Sequence, residues 1–365
     1  MKILIVNSRG HWINGWMSFP ESLDIVLNVL NKTGYEVKSV EVTSFKELDD
    51  VLKQTNPDTL VWANAYWVTG KNGKLHGLLK EIQKYNLPMI GSNSETLSIL
   101  LEKDTCQKIL KEGNIPTPDY LIIDESNKDK ASDLINNITF SFPLIIKPTK
   151  ESRSQGVTKV NNRQEAIDTI ETLSHRFPNS NIIVEEFLPN NDVTCGFLKL
   201  GHEIMLLPSY IVVEGLDYST DIISEAHYAL PLFSYEQQVI TDDIVLSQLR
   251  KHIPNVVSLL GINNVTRIDG RLDKNGKLKF FDVNGMPGLS YPISGLIKQC
   301  FSHFPTYSED YIFECLLNTI VIENFEQHDI FVPLSIRKHQ LFNLKSDTTI
   351  KLKIDVKKEV NSLVG

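Results

Sequence analysis

The sequence predicts an α/β protein: an open, mostly parallel sheet over the first ninety or so residues, then segments in which strands pair antiparallel. Three observations predict it. Short apolar runs alternate with helix-spaced apolar residues along the N-terminal part. Residues that start and stop helices fall between those runs. Further on, strand signals follow one another across tight turns, the pattern of hairpins.

Ile3–Val6 is an apolar run ending in Asn7-Ser8-Arg9-Gly10 and reads as a buried strand. Leu23, Val26, Leu27 and Leu30 recur at helical spacing before Gly34, a helix stop. Tyr35–Val42 is the second strand, and Ser44 with Glu47 forms a capping-box signature for a helix through Leu48, Val51 and Leu52. Leu60–Ala63 is the third strand; Leu75, Leu78, Leu79 and Ile82 mark a third helix; Met89-Ile90 is a short fourth strand. Crossovers of this length make the sheet mostly parallel, with ligands beyond the carboxyl ends of its strands. The first turn is not G-x-G-x-x-G, and no G-x-x-x-x-G-K-S/T occurs, so phosphate chemistry is expected downstream.

A long helix is predicted from about Ser94 to Glu112, ending at Gly113 before Ile115-Pro116-Thr117-Pro118. Strands follow at Leu144–Pro148 and Val157–Val160, around a polar loop Thr149–Gly156. A helix from Glu165 to Leu173 leads to strands at Ile182–Val184, Phe197–Leu200 and Ile204–Ile211. After a helical stretch before Gly261, Val265–Leu272 and Lys277–Val283 form a hairpin turning at Asp273-Lys274-Asn275-Gly276. Asp329–Val332 and Thr349–Ile354 look strand-like, and Lys351, Lys353, Lys357 and Lys358 make the tail basic: a solvated face, or a docking surface for an acidic partner.

At about 150 residues per domain, 365 residues suggest two to three domains. A net charge of −8 argues against a nucleic-acid binder, whose phosphate contacts need a basic face. Cys106, Cys195, Cys300 and Cys315 lie too far apart for a C-x-x-C site and read as buried thiols. Met1–Val6 is too short for a signal peptide, and no apolar run nears the ~20 residues that span a bilayer, so a cytoplasmic protein is expected.

Four constellations carry chemistry. Lys147 ends an apolar strand before the loop Thr149–Gly156, whose N–H groups and hydroxyls suit an anion; otherwise it is a snorkelling lysine on a surface hairpin. Glu185 and Glu186 must face opposite ways on a strand, so one can meet a base or ribose; otherwise both are solvated acids on an edge strand. Arg267 and Asp269 share one face of their strand, as do Asp282 and Asn284 of theirs, an oxygen set suited to Mg²⁺ with an arginine beside it. The other reading is a cross-strand salt bridge. Asn284-Gly285-Met286-Pro287-Gly288-Leu289-Ser290 follows as a tight turn in which Gly288 would let a ligand approach, or as an ordinary loop.

In this order, the residues resemble the ATP-grasp ligases, and within them the D-alanine–D-alanine ligase-like group, over roughly residues 90 to 325. Arg267-Ile268-Asp269 with Asp282-Val283-Asn284-Gly285-Met286-Pro287-Gly288 looks like the family's R-x-D … E-x-N-x-x-P-G, with Asp282 in place of the glutamate. The resemblance implies an ATP-grasp fold: an N-terminal open parallel α/β domain followed by two α+β domains that clamp ATP. The divisions expected are 1–92, a lid domain 93–181, a catalytic domain 182–328 and an extension 329–365. It implies ATP and two Mg²⁺ ions, with Mn²⁺ an admissible substitute, held by Asp269, Asp282 and Asn284. Lys103 and Lys147 would meet the phosphates; Ser154 would lie on the closing loop; Glu185, Glu186 and Leu188 would meet the adenine and Asp192 the ribose. Arg267 would steady the tetrahedral intermediate, and Gly288, Arg153 and Ser294 would serve the substrates.

The expected reaction joins a small-molecule carboxylate to an amine through an acyl phosphate, with no nucleic acid or membrane partner; the resemblance also allows a homodimer. The amino-acid side departs from the family. Glu21 is out of register with the family's first acid, Lys71 stands in the G-E-D-G-type turn, Arg153 replaces a serine, and the loop Asp217–Asp221 lacks the Lys-Tyr pair. These changes point to a ligase other than a standard D-Ala–D-Ala ligase, and Arg153 and Lys71 to a substrate with an extra carboxylate. Two alternatives stay open: transfer to a carrier-protein thiol, read out as a thioester, and a non-catalytic ATP-binding regulator, read out as no substrate-dependent phosphate release.

Overall fold

The computed structural model describes residues 1–12, 15–230 and 234–354, without the Asn72 side chain. Strand β1 (Lys2–Ser8) lies at the centre of a three-stranded parallel sheet. Helix α1 (Pro20–Thr33) opens on a proline, which fits the first helical position, and stops at Gly34 with φ 103°. Strand β2 (Glu36–Val42), helix α2 (Phe45–Lys53) and strand β3 (Thr59–Ala63) complete the order β2–β1–β3. The Ser44 hydroxyl accepts from Glu47 N at 3.3 Å, the cap that the sequence specifies. Of the expected fourth strand, Met89 makes a single parallel bridge to Val61.

Two helices are shorter than expected. Residues 67–77 form a hairpin, β4 (Trp67–Thr69) with β5 (Leu75–Gly77), and only Leu78–Gln83 is helix α3. Gly70 and Gly73 make the turn, the latter at φ 74°, so Leu75 sits exposed on a strand. The long helix divides into α4 (Ser94–Leu101) and α5 (Lys103–Glu112) at Glu102, which is extended at ψ 96°. The break turns Lys103 N–H onto Thr149 O at 3.1 Å.

A second, antiparallel sheet has the order β6–β9–β7–β8: β6 (Tyr120–Ile123), β7 (Leu144–Pro148), β8 (Thr158–Val160) and β9 (Ile182–Glu186). Helices α6 (Ala131–Asn136) and α7 (Arg163–Arg176) cover it, over a core that includes Leu144, Ile146, Val160, Ile170 and Val184. The boundary expected at 181/182 therefore falls inside this sheet, because β9 pairs with both β6 and β7.

The third sheet is antiparallel, in the order β12–β11–β10–β13–β14. It comprises β10 (Asp192–Leu200), β11 (Glu203–Val212), β12 (Glu236–Val239), β13 (Val265–Leu272) and β14 (Leu278–Asn284). Helix α8 (Glu225–Tyr228) lies in the connection before β12, and α9 (Asp243–Leu260) ends at Gly261 with φ 62°. Helix α10 (Gly295–His303) leads to α11 (Glu309–Gln327), which is buried along most of its length. One core cluster runs from Ile5 of β1 and Leu30 of α1 through Leu198 of β10 and Leu207 of β11 to Leu316 and Phe325 of α11, so the N-terminal domain and the third sheet share an interior. Residues 329–332, expected as a strand, form no strand and lead to α12 (Leu334–Arg337). Thr349–Ile354 does yield β15 (Ile350–Lys353), which pairs with the first half of β11. Lys357 and Lys358 lie outside the described residues. All four cysteines are free and buried. No helix of the described residues is long and apolar enough to cross a membrane.

Candidate active site

The register of β13 against β14 organises the site. Arg267 pairs with Asn284 and Asp269 with Asp282, and the ladder then shifts so that Gly270 pairs with Phe280. Phe281 is the extra residue of a β-bulge. Alternation without it would bring Lys279, Phe281 and Val283 to one face and bury Asp282. With it, Phe280 and Val283 enter the core while Asp282 and Asn284 stay partly exposed beside Asp269. The hairpin thus delivers two carboxylates and an amide oxygen to a single face, as the two-residue pleat predicts.

Arg267 donates from Nε to Asp269 Oδ1 at 3.1 Å and from Nη2 to Oδ2 at 3.0 Å. The salt bridge runs along one strand and leaves Asp282 free of it. Burial works against the guanidinium charge, but Asp269 outweighs burial and raises the Arg267 pKa above its ordinary value. Thr194 Oγ1 donates to Asp269 Oδ1 at 2.7 Å, which fixes the carboxylate from a third strand.

The two candidate phosphate lysines converge on this hairpin. Lys147 is 5% exposed and pairs with buried Glu185 at 2.7 Å, so it is neither on the surface nor without an anion. Its Nζ lies 5.0 Å from the centre of the Phe281 ring. Lys103 Nζ donates to Glu151 O at 2.8 Å and lies 3.6 Å from Asp282. Glu185 and Glu186 do face opposite ways on an interior strand. Glu185 is buried and accepts from Gln107, while Glu186 pairs with Lys279 and accepts from Asp119 N at 2.9 Å. Arg271, buried, pairs with Asp192 and donates to Leu188 O at 3.2 Å.

The loop between β7 and β8 carries Arg153 and Ser154, both at φ 55°. Arg153 is exposed and has no ion pair among the described residues. At the end of the loop, Gly156 N donates to Glu225 Oε2 at 3.1 Å, and Arg176 also grips Glu225, through Nη1 at 2.9 Å. Glu225 is held below the usual carboxylate range by Arg176 and by this N–H. The segment around α8 is thereby latched to the second sheet. Gly288 and Ser294 meet, with Ser294 Oγ donating to Gly288 O at 2.6 Å. A Cβ on Gly295 would lie 3.2 Å from Tyr235 Oη and 3.3 Å from Arg267 Nη1, so glycine lets the start of α10 approach both groups.

Arg271, Gln107, Glu225 and Tyr235 belong to this region and were not picked out from sequence. Arg271 was within reach, because the alternation that pairs Arg267 with Asp269 puts residue 271 on the same face. Tyr235 and Glu225 lie in a long connection without periodicity, which gives no such signal.

The opposite side of the cleft is the end of the first sheet. Asn64 Nδ2 donates to Asn7 Oδ1 at 2.7 Å and to Met17 O at 3.0 Å, and Met17 N donates to Asn64 Oδ1 at 2.7 Å. Leu289 N donates to Trp16 O at 2.6 Å, joining this network to the turn after β14. Glu21 is exposed in the first turn of α1, and Lys71 is exposed at the tip of the β4–β5 hairpin.

Asp269, Asp282 and Asn284 fit a hard cation: their side-chain ligands are all oxygen, on one face, with Asn284 Oδ1 oriented by Met286 N at 3.2 Å. Among the described residues no group of three or more His, Cys, Asp or Glu side chains could enclose a metal.

The family model described as D-ala D-ala ligase C-terminus matches residues 109–303, just over half the chain. A D-alanine–D-alanine ligase of Aquifex aeolicus is 28% identical over 271 residues, 73% of this chain and 84% of the relative. The crystal structure of a Bacillus anthracis D-alanine–D-alanine ligase complexed with ATP aligns with TM-score 0.61 at 18% identity, over 90% of this chain and 99% of that one. That of the VanG D-Ala:D-Ser ligase from Enterococcus faecalis aligns with TM-score 0.66 at 18% identity, over 88% and 99%. The chain therefore belongs to the D-alanine–D-alanine ligase family and is an ATP-grasp ligase.

Proposed function

We propose that this ligase activates the carboxylate of one amino acid as an acyl phosphate and passes it to the amine of another. A carboxylate oxygen attacks the γ-phosphorus of ATP, the bond to the bridging oxygen breaks, and ADP leaves. The amine then attacks the acyl carbon, loses a proton, and expels phosphate as the amide bond forms. Lys103 and Lys147 act on the phosphates, and their ion pairs with Asp282 and Glu185 hold them ready. Glu185, Glu186 and Leu188 border the adenine, and Asp192, oriented by Arg271, serves the ribose. Mg²⁺, or Mn²⁺ in its place, would be held by Asp269, Asp282 and Asn284 and would supply neutralisation of phosphate charge. Arg267 donates to the oxyanion; loss of one such donor costs about 3–4 kcal/mol of barrier.

The observation that carries this reading is the bulged register of β13 and β14, which aligns Arg267, Asp269, Asp282 and Asn284 beside Lys103. We further infer that the substrate pair is not two D-alanines. Support comes from the first-sheet side of the cleft, where Glu21 and Lys71 are exposed and an asparagine network stands between β1 and β3. ADP release screened over pairs of amino acids, with the mass of each product, tests both statements. If D-alanine with D-alanine gave the highest kcat/KM, the substrate inference would fall; amide formation by another pair bears it out.

A further inference from the structure

A cavity of about 250 Å³ opens where the first sheet meets the turn after β14. It lies beyond the carboxyl end of β3, lined by Ala63 and by Ala65, Tyr66 and Trp67 just after it, the end of an open α/β sheet at which ligands bind. Its walls are mainly aromatic and aliphatic: Trp16, Tyr66, Trp67, Leu97, Leu101 and Met286. Of the three serines on the wall, two spend their hydroxyls on backbone, Ser92 Oγ on Asn263 O at 3.1 Å and Ser98 Oγ on Ser94 O at 2.8 Å. The charged group on its lining is exposed Lys80. A cavity of about 150 Å³ with such walls accepts a benzene ring, so this one has room for a phenyl or branched aliphatic side chain.

The cavity also adjoins the reacting face. Gly285 and Met286 line it and directly follow Asn284. Tyr66 and Met286 line the cavity together, so its wall reaches the turn that follows Asn284. The wall is held in place, because Asn64 fixes Met17 and Leu289 N fixes Trp16 O. Gly285 is itself wedged against α4, where a Cβ would come within 2.7 Å of Leu97 and Leu100.

We infer that this cavity receives the side chain of the carboxylate donor, and that the donor is an amino acid with a neutral, bulky apolar side chain of the leucine or phenylalanine class. The inference rests on the ligase reading above: the donor carboxylate meets the Arg267–Asn284 face while its side chain points back between Trp16, Trp67 and Met286.

The test compares kcat/KM for alanine, leucine, phenylalanine and tryptophan as donors, in both configurations, with one saturating amine acceptor. ADP release and product mass are read together. Leucine or phenylalanine should exceed alanine at least tenfold, the discrimination that a fitted apolar pocket achieves. Ser98→Phe, at an exposed position on the mouth, should cut the ratio of bulky donor to alanine at least tenfold. Trp67→Ala, which widens the rim, should shift preference toward tryptophan. Alanine equal to or better than leucine, or a ratio unmoved by Ser98→Phe, would overturn the assignment while leaving the ligase reading intact. Leucine inhibition of alanine turnover that excess alanine does not relieve would make the cavity a regulatory site and also overturn it. No ADP release with any donor would sink the ligase reading itself.

Discussion

The two walls of the cleft are built on opposite principles. On the wall of β13 and β14, ion pairs crowd together: Arg267–Asp269, Lys103–Asp282, and close by Lys147–Glu185 and Lys279–Glu186. On the wall at the ends of β1 and β3, a neutral amide network and aromatic rings do the positioning. Partly buried ion pairs are a poor source of stability, since desolvation offsets most of their attraction. Their concentration on one wall suits a polyanion, whereas the cavity on the other wall is mainly aromatic and aliphatic, with Lys80 its charged lining residue.

The largest effect should come from the charged wall. Asp282→Asn keeps the volume and removes the charge. It should lower kcat by at least roughly a thousandfold, the loss expected when several kcal/mol of electrostatic stabilisation is withdrawn. Asp282→Glu, which restores the family residue, should stay within about tenfold of wild type. Equal loss in both variants would show that geometry at Asp282, and not charge, is what matters.

Lys147→Ala should strand the buried Glu185 carboxylate and cost about 3–5 kcal/mol in urea denaturation. The double variant Lys147→Met, Glu185→Leu should recover much of that stability while remaining inactive. Without such recovery, the pair would be stabilising in its own right and the contrast between the walls would weaken.

His303 gives a smaller effect, set by pH. It is buried at the end of α10, with Nε2 3.0 Å from Pro208 O and Nδ1 3.3 Å from Thr348 Oγ1. Burial lowers its pKa from 6.5 to about 4. Between these values the unfolded chain binds the proton and the folded chain does not, so stability is lost as pH falls from 6.5 toward 4. The loss should approach roughly 3 kcal/mol. His303→Gln should flatten this part of the stability profile, and an unchanged slope would assign the loss to other groups.

The smallest expected effect separates the walls. A Cβ at Gly15 would overlap the Asn64 carbonyl oxygen. Gly15→Ala should therefore push the Asn64 backbone aside and raise KM for the carboxylate donor, with KM for ATP unchanged. A parallel rise in both KM values would mean that the walls are mechanically one unit.

The charged wall was legible in the sequence because its residues sit two apart on neighbouring strands, where alternation alone decides the face. The bulge at Phe281 was not legible, yet it is what lets Asp282 join that face. The same limit explains the sheet boundary: Ile182–Glu186 reads as a strand anywhere, and only its pairing with β6 and β7 assigns it to the second sheet. Helix periodicity ran through Glu102 because no proline or glycine marks the break, which depends on the distant Thr149 carbonyl. The cavity was least visible of all, since residues 16, 66, 97 and 286 meet only after four segments have packed.

Trapping the activated donor tests the central claim most directly. Enzyme, ATP, Mg²⁺ and a carboxylate donor are incubated with hydroxylamine in place of the amine, and the products are identified by mass. The account predicts the hydroxamate of the donor in equal amount to ADP, abolished by Asp282→Asn. ADP without hydroxamate, or AMP and pyrophosphate in place of ADP and phosphate, would contradict an acyl phosphate formed on the β13–β14 face.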